Sequence, residues 1–139
     1  MSPFGVAPSF TLEVYVEPPK PLDPSSNGPV RLVSIIGGRV SGSLVGVILP
    51  GGADWQTIRA DGGIEIEARY FLELLDGTRI DLQSRGRREG PTGGFWSTIW
   101  LSCANPTYTH LNKMQFVAWG ARNEKGVVIS AYALPETVG

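Results

Sequence analysis

Apolar and polar residues alternate with a period of two along most of the chain, the spacing of strands that bury one face. Phe10, Leu12, Val14 and Val16 share a face of the first such stretch. Similar runs follow at residues 31–36, 44–49, 64–74, 78–85, 95–102, 113–120 and 127–134, with a shorter one at 57–59. Val40 resumes the pattern after Gly37-Gly38, where mid-strand glycines predict a bulge or a barrel corner. Residues 1–9 read as a loose N-terminal arm. Residues 17–30, with Pro18, Pro19, Pro21 and Pro24, read as a proline-rich surface loop, because proline cannot donate to a strand ladder. Residues 108–112 read as a single helical turn, and no longer helix is predicted.

The register of one hairpin can be worked out in advance. A three-residue loop, Leu75-Asp76-Gly77, pairs Leu74 with Thr78, Leu72 with Ile80 and Tyr70 with Leu82, giving one apolar surface. On the opposite face Glu73 meets Arg79, Glu67 meets Arg85 and Arg69 lies beside Gln83. A two-residue loop would instead set Arg79, Asp81 and Gln83 on the apolar face, so the longer loop is predicted. About eight or nine consecutive antiparallel strands are best relieved of their edges by closure. The expected fold is therefore all-β, a single antiparallel barrel of lipocalin-like size spanning residues 1–139 as one domain.

Composition narrows the function. Apolar residues make up 42% of the 139 and charged residues 18%, so the chain is globular. A net charge of −1, with only Arg85, Arg87 and Arg88 clustered, excludes a dedicated nucleic-acid binder. One cysteine, Cys103, excludes an internal disulfide and a multi-cysteine metal site; in its apolar segment it reads as a small buried hydrophobe. With no signal-like N-terminus and no apolar run of membrane-spanning length, a soluble cytoplasmic protein with no membrane partner is expected. Phosphate-binding loops and nucleophile motifs are absent, and the lone His110 among scattered carboxylates offers no metal set. The expectation is chemistry without metal or cofactor.

The centre of the chain is Leu49-Pro50-Gly51-Gly52-Ala53-Asp54-Trp55-Gln56. Proline and two glycines ending an apolar run predict a sharp reversal that presents Asp54 and Trp55 on a bend between strands. Asp54 is the first candidate, a general base if its surroundings are apolar. His110 is a candidate proton shuttle. Glu67 with Arg85, and Arg69 nearby, are candidates to hold a carbonyl or enolate oxygen, or else form a solvent-facing pair outside the barrel. Asn112 is a candidate to orient a ligand carbonyl or to brace a turn. Trp55, Trp96, Trp100, Tyr108 and Trp119 are candidate stacking walls for a flat or polyketide-like ligand, or barrel packing.

Several fragments together resemble one family. The Pro50-Gly51-Gly52-Ala53-Asp54-Trp55 core, Ala68-Arg69-Tyr70, Asp76-Gly77, Arg85-Gly86-x-Arg88, Leu111-Asn112 and Gly120-x-Arg122 are similar to the uncharacterised domain-of-unknown-function 3237 family. The resemblance implies a small stand-alone β-barrel and no particular activity. Glu67 stands where the family usually shows Asp, His110 where it shows Trp, and Glu89 where His is common, as in a specialised member. Three functions remain in view: a cofactor-free isomerase, cyclase or lyase acting on a conjugated carbonyl compound; a passive carrier of a small apolar ligand; and an assembly protein whose aromatic surface joins copies of the chain.

Overall fold

A computed structural model describes residues 4–90 and 93–135. Among these residues the strands are β1 (Phe10–Val16), β2 (Lys20–Ser25), β3 (Gly28–Gly42), β4 (Gly46–Ile48), β5 (Ala53–Ile58), β6 (Ile64–Leu74), β7 (Arg79–Arg88), β8 (Phe95–Ser102), β9 (Phe116–Arg122) and β10 (Gly126–Ala133). A short 3-10 helix, Pro106–Lys113, joins β8 to β9. Each neighbouring pair is antiparallel, and β1 pairs with both β10 and β3, which closes the sheet. β4 and β5 lie end to end between β3 and β6, so the circuit has the eight-strand girth that fills with side chains or holds one small ligand. The alternation predicted from the sequence is the in–out alternation of this wall: Ile64, Ile66, Tyr70, Leu72 and Leu74 are buried on β6, and Ile80 and Leu82 on β7.

The β6–β7 hairpin has the predicted register, with Leu72 opposite Ile80, Tyr70 opposite Leu82, Glu73 opposite Arg79 and Glu67 opposite Arg85. Its turn is closed by Gly77 N donating to Leu74 O at 2.9 Å, with Gly77 at φ +86°, and by Thr78 N donating to Asp76 Oδ1 at 3.0 Å.

Four stretches differ from the sequence reading. The central Pro-Gly-Gly does not reverse the chain. Partners along β3 run from Val30↔Thr57 to Ser34↔Ala53 and on to Gly38↔Ile48 and Val40↔Gly46, so β4 and β5 form one strand interrupted by a bulge. Ile35 bonds both sides of that bulge, donating to Gly52 O at 2.9 Å and accepting from Gly51 N at 3.2 Å, and Gly51 sits at φ +105°. Residues 20–25, expected within a loop, form β2, whose residues are exposed; its prolines are tolerated because no strand lies beyond that edge. β7 runs on to Arg88 instead of ending at Arg85, and the rest of the predicted 86–94 loop includes residues 91–92, outside the described set. Within the N-terminal arm, Phe4 packs on Trp96 and Tyr132 and Ser9 N donates to Ala131 O at 2.7 Å, so these residues are tied down; residues 1–3 lie outside the described set.

The two barrel ends differ. At one, the 3-10 helix sets buried Leu111 against the core. At the other, where β5, β7 and β9 end and β6, β8 and β10 begin, the interior gives way to polar side chains.

Candidate functional site

The polar layer follows from continuing the alternation one or two steps past its apolar part. On β7, Ile80, Leu82, Ser84 and Arg88 point inward; on β9, Phe116 and Ala118 lead on to Arg122. On β5, Asp54 and Gln56 face in between Val33 of β3 and Ala68 of β6. The shift in the β1–β3 register at Val16↔Ile35 changes which β3 residues face the interior, so that Arg31, Val33 and Ile35 share one face.

These side chains surround a cavity of about 50 Å³ walled by Val14, Val16, Val33, Ile129 and Phe95. Arg31 Nε donates to Gln56 Oε1 at 2.6 Å, and Gln56 Nε2 donates to Asp54 Oδ2 at 2.9 Å. The guanidinium thus fixes the amide so that its NH₂ faces the carboxylate. Asp54 Oδ1, Tyr70 Oη and Arg88 Nε are all buried without a hydrogen-bond partner, and all three residues line this cavity. Burial lifts the Asp54 carboxyl from 3.8 to about 6, against the opposing pull of the Gln56 bond and the Arg88 and Arg31 charges. Tyr70 is pushed up by burial and then by the Asp54 charge. Arg88 is pushed down by burial and then by the like charge of Arg122. A carboxyl poised near neutrality with a free oxygen can exchange a proton, and a neutral phenol beside it can donate a hydrogen bond.

Of the side chains singled out from the sequence, Asp54 alone lines this cavity. Glu67, Arg69 and Arg85 belong to the outward set of the β6–β7 wall: Arg85 Nη2 lies 3.7 Å from Glu67 Oε1 in solvent, and Arg69 forks onto Asp81 at 3.2 and 2.7 Å. Strand periodicity puts them on the other side of the sheet from Asp54, so they hold no oxygen for it. His110, the candidate proton shuttle, is exposed on the 3-10 helix at the far end, away from Asp54. Asn112 braces a turn, accepting from Cys103 N at 2.7 Å and donating to Cys103 O at 2.9 Å, while Tyr108 donates to Asp76 Oδ2 at 3.1 Å. Trp55, Trp96 and Trp100 stand on the outer wall, each more than 40% exposed. Gln56, Tyr70, Arg31, Arg88 and Arg122 went unread as site residues. Their signal was parity, since each continues an inward-facing set.

Among the described residues no three His, Cys, Asp or Glu side chains converge as a metal site, and no helix is long and apolar enough to cross a membrane.

Comparison with known proteins places the chain. It is 46% identical over 61 residues to a UPF0311 protein of Bradyrhizobium diazoefficiens, a match covering 44% of this chain and 40% of that relative's length. A crystal structure from Acinetobacter baumannii described as a beta-barrel like protein superposes with a TM-score of 0.84 at 32% identity, covering 93% of this chain and 94% of the other. A structure described as an enzyme from Penicillium herquei shares the fold at a TM-score of 0.69 and 22% identity, covering 96% of this chain and all of the other. The family described as protein of unknown function, DUF3237, matches residues 4–94, and the chain belongs to it.

Proposed function

We propose that the protein is a cofactor-independent enzyme, an isomerase, cyclase or lyase that moves a proton on a conjugated carbonyl compound at the Asp54 cavity. The observation that carries this reading is the convergence of three buried, unpartnered polar atoms, Asp54 Oδ1, Tyr70 Oη and Arg88 Nε, on one cavity. Leaving such groups unsatisfied costs stability, and functional sites are where such a cost recurs. The Penicillium herquei protein, described as an enzyme, has the same fold, so the barrel is compatible with catalysis; the reaction class is argued from the site.

In this reading Asp54 Oδ1 takes a proton from the carbon next to the carbonyl. The C–H electron pair moves into the carbonyl, and the enolate oxygen accepts from Arg88 Nε–H and Tyr70 Oη–H. Asp54 then returns the proton to another carbon, or the enolate expels or closes onto a neighbouring group. Arg88 and Tyr70 thus take the role that the sequence reading gave to Arg69 and Arg85, and Asp54 both takes and returns the proton that the reading shared with His110.

The test is conversion of cyclohex-3-enone to cyclohex-2-enone, followed by absorbance, in wild type and Asp54→Asn. Loss of at least 100-fold in kcat/KM is expected from removing the base, on the order of the contribution of general-base catalysis. Equal rates in the two proteins would sink the reading. The passive-carrier alternative rests on the apolar walls. It gives no reason for an ionisable carboxyl with a free oxygen among them, and it predicts that Asp54→Asn changes no rate.

A further inference from the structure

The arginines of this chain fall into two groups. Arg39, Arg59, Arg69, Arg79, Arg85 and Arg87, on the outer wall and turns, each lie within 4.0 Å of a carboxylate. Arg31, Arg88 and Arg122, at the open end of the barrel, have no such partner among the described residues. Exposed cations need a counter-charge least, and buried ones need it most. Arg122 is exposed and Arg31 half-buried, but Arg88 is buried, so for Arg88 the distribution is the reverse of what stability alone would select.

Arg88 is the extreme case. It is 3% exposed, its Nε donates to nothing, and its guanidinium carbon lies 5.5 Å from the centroid of the Phe95 ring. A cation over a ring face recovers only part of the cost of desolvating a guanidinium. Among the described residues Asp54 is the single acid lining the cavity, against Arg88 and Arg122 on its lining and Arg31 behind Gln56.

We propose that the cavity takes a compact organic oxyanion, a carboxylate or the ionised enol of a 1,3-dicarbonyl, whose charge is held by Arg88 and Arg122. The proposal deepens the acid–base reading above and rests on its cavity. An arginine fork matches two oxygens sharing one charge, a match that a neutral ketone cannot supply. The apolar walls of Val14, Val16, Val127 and Ile129 call for a carbon skeleton, which an inorganic anion lacks. The space of about 50 Å³ suits the charged end of a ligand, with its remainder toward the mouth. The charge count also fits the proton transfer. Proton transfer to Asp54 moves the carboxylate's charge onto a substrate that is already an anion, and the doubly charged species then lies against Arg88 and Arg122 instead of a single cation.

The experiment compares benzoate with benzamide, its uncharged counterpart of the same shape, by calorimetric titration of the full chain at low salt. Wild type is expected to bind benzoate at least ten-fold more tightly than benzamide. Arg88→Gln is expected to bring the ratio to about one, and Arg122→Gln to reduce it several-fold. Asp54→Asn, which removes the one acid of the cavity, is expected to keep or raise it. Equal affinities in wild type, no binding of benzoate, or a preference unchanged in Arg88→Gln overturns the proposal. If Arg88→Gln does not fold, the wild-type ratio and Arg122→Gln decide. Run beside the enone assay, the two readings separate. Loss of turnover in Asp54→Asn without a benzoate preference overturns the anion site alone. An Arg88-dependent preference with turnover intact in Asp54→Asn overturns the acid–base role alone.

Discussion

Asp54→Asn tests whether the buried carboxyl is held at the expense of the fold. In the unfolded chain the group ionises near 3.8, whereas burial holds it at about 6 in the barrel. A group whose folded pKa is raised is best tolerated below its unfolded pKa, where it is protonated in both states. Stability is then lost as pH climbs from 3.8 through 6, because the unfolded chain gives up its proton first. Linkage gives a penalty below about 1 kcal/mol at pH 4 and about 3 kcal/mol at pH 7.5, at about 1.4 kcal/mol per tenfold change in proton affinity. Asparagine cannot ionise, yet its side-chain oxygen can still accept the Gln56 Nε2 bond now made to Asp54 Oδ2 at 2.9 Å. The variant should therefore stay within about 1 kcal/mol of wild type at pH 4 and exceed it by about 3 kcal/mol at pH 7.5, or roughly 10 °C in Tm for a domain of this size. Urea melts of both proteins at the two pH values measure this directly, with equal m values required for the comparison. A wild-type-to-variant difference that stays constant from pH 4 to 7.5 would refute the argument, since only titration of this carboxyl makes it pH-dependent.

Other substitutions separate scaffold from site. His110→Ala and Arg85→Ala remove exposed groups away from the cavity, so enone turnover should stay within two-fold of wild type and stability within about 0.5 kcal/mol; a large loss of turnover in either would return the site to the residues singled out first. Asn112→Ala removes both hydrogen bonds to the Cys103 backbone and should cost about 1–3 kcal/mol in urea melts with kcat unchanged. Gly52→Ala sets a Cβ 2.5 Å from Tyr70 Cβ and 2.7 Å from Arg69 O at the central bulge. It should destabilise by about 1–3 kcal/mol, and an unchanged melt would mean that the bulge can move aside.

Much of the barrel was legible because period-two alternation and turn chemistry are local signals. The β6–β7 register followed from parity plus one Gly with positive φ, and both are written in residues 64–85. The Leu49–Gly52 segment was misjudged for a physical reason. Pro-Gly-Gly serves a reversal and a bulge equally well, and what decides is pairing with β3 some fifteen residues upstream, which no local pattern contains. Of the site, Asp54 was found because a carboxylate beside glycines attracts notice. Arg88 was missed because an arginine after Arg85-Gly86-Arg87 looks like the start of a wet loop, although it continues the inward set of Ile80, Leu82 and Ser84. Extending alternation through polar residues until a turn forbids it would have recovered Arg88, Gln56 and Arg122 together. The aromatics misled in the opposite direction: Trp55, Trp96 and Trp100 occupy outward positions, where size is no guide to burial.

The unequal ends of the barrel bear on how stability and function are divided. The core from Leu12, Leu72, Ile80, Leu82, Ile99 and Phe116 is essentially free of solvent, and the 3-10 helix seals its far side with Leu111. At the open end the same walls end in a carboxyl that resists ionising and an arginine with no carboxylate within 4.0 Å among the described residues, groups that oppose folding where they stand. An oxyanion seated there would neutralise the arginine and relieve the unpaired donors while binding the folded state alone. The stabilisation it confers should therefore rise with the logarithm of its concentration above Kd. A barrel that needed no ligand would be better served by leucine at Arg88, and the cost of keeping arginine there is the physical argument for the oxyanion proposed above.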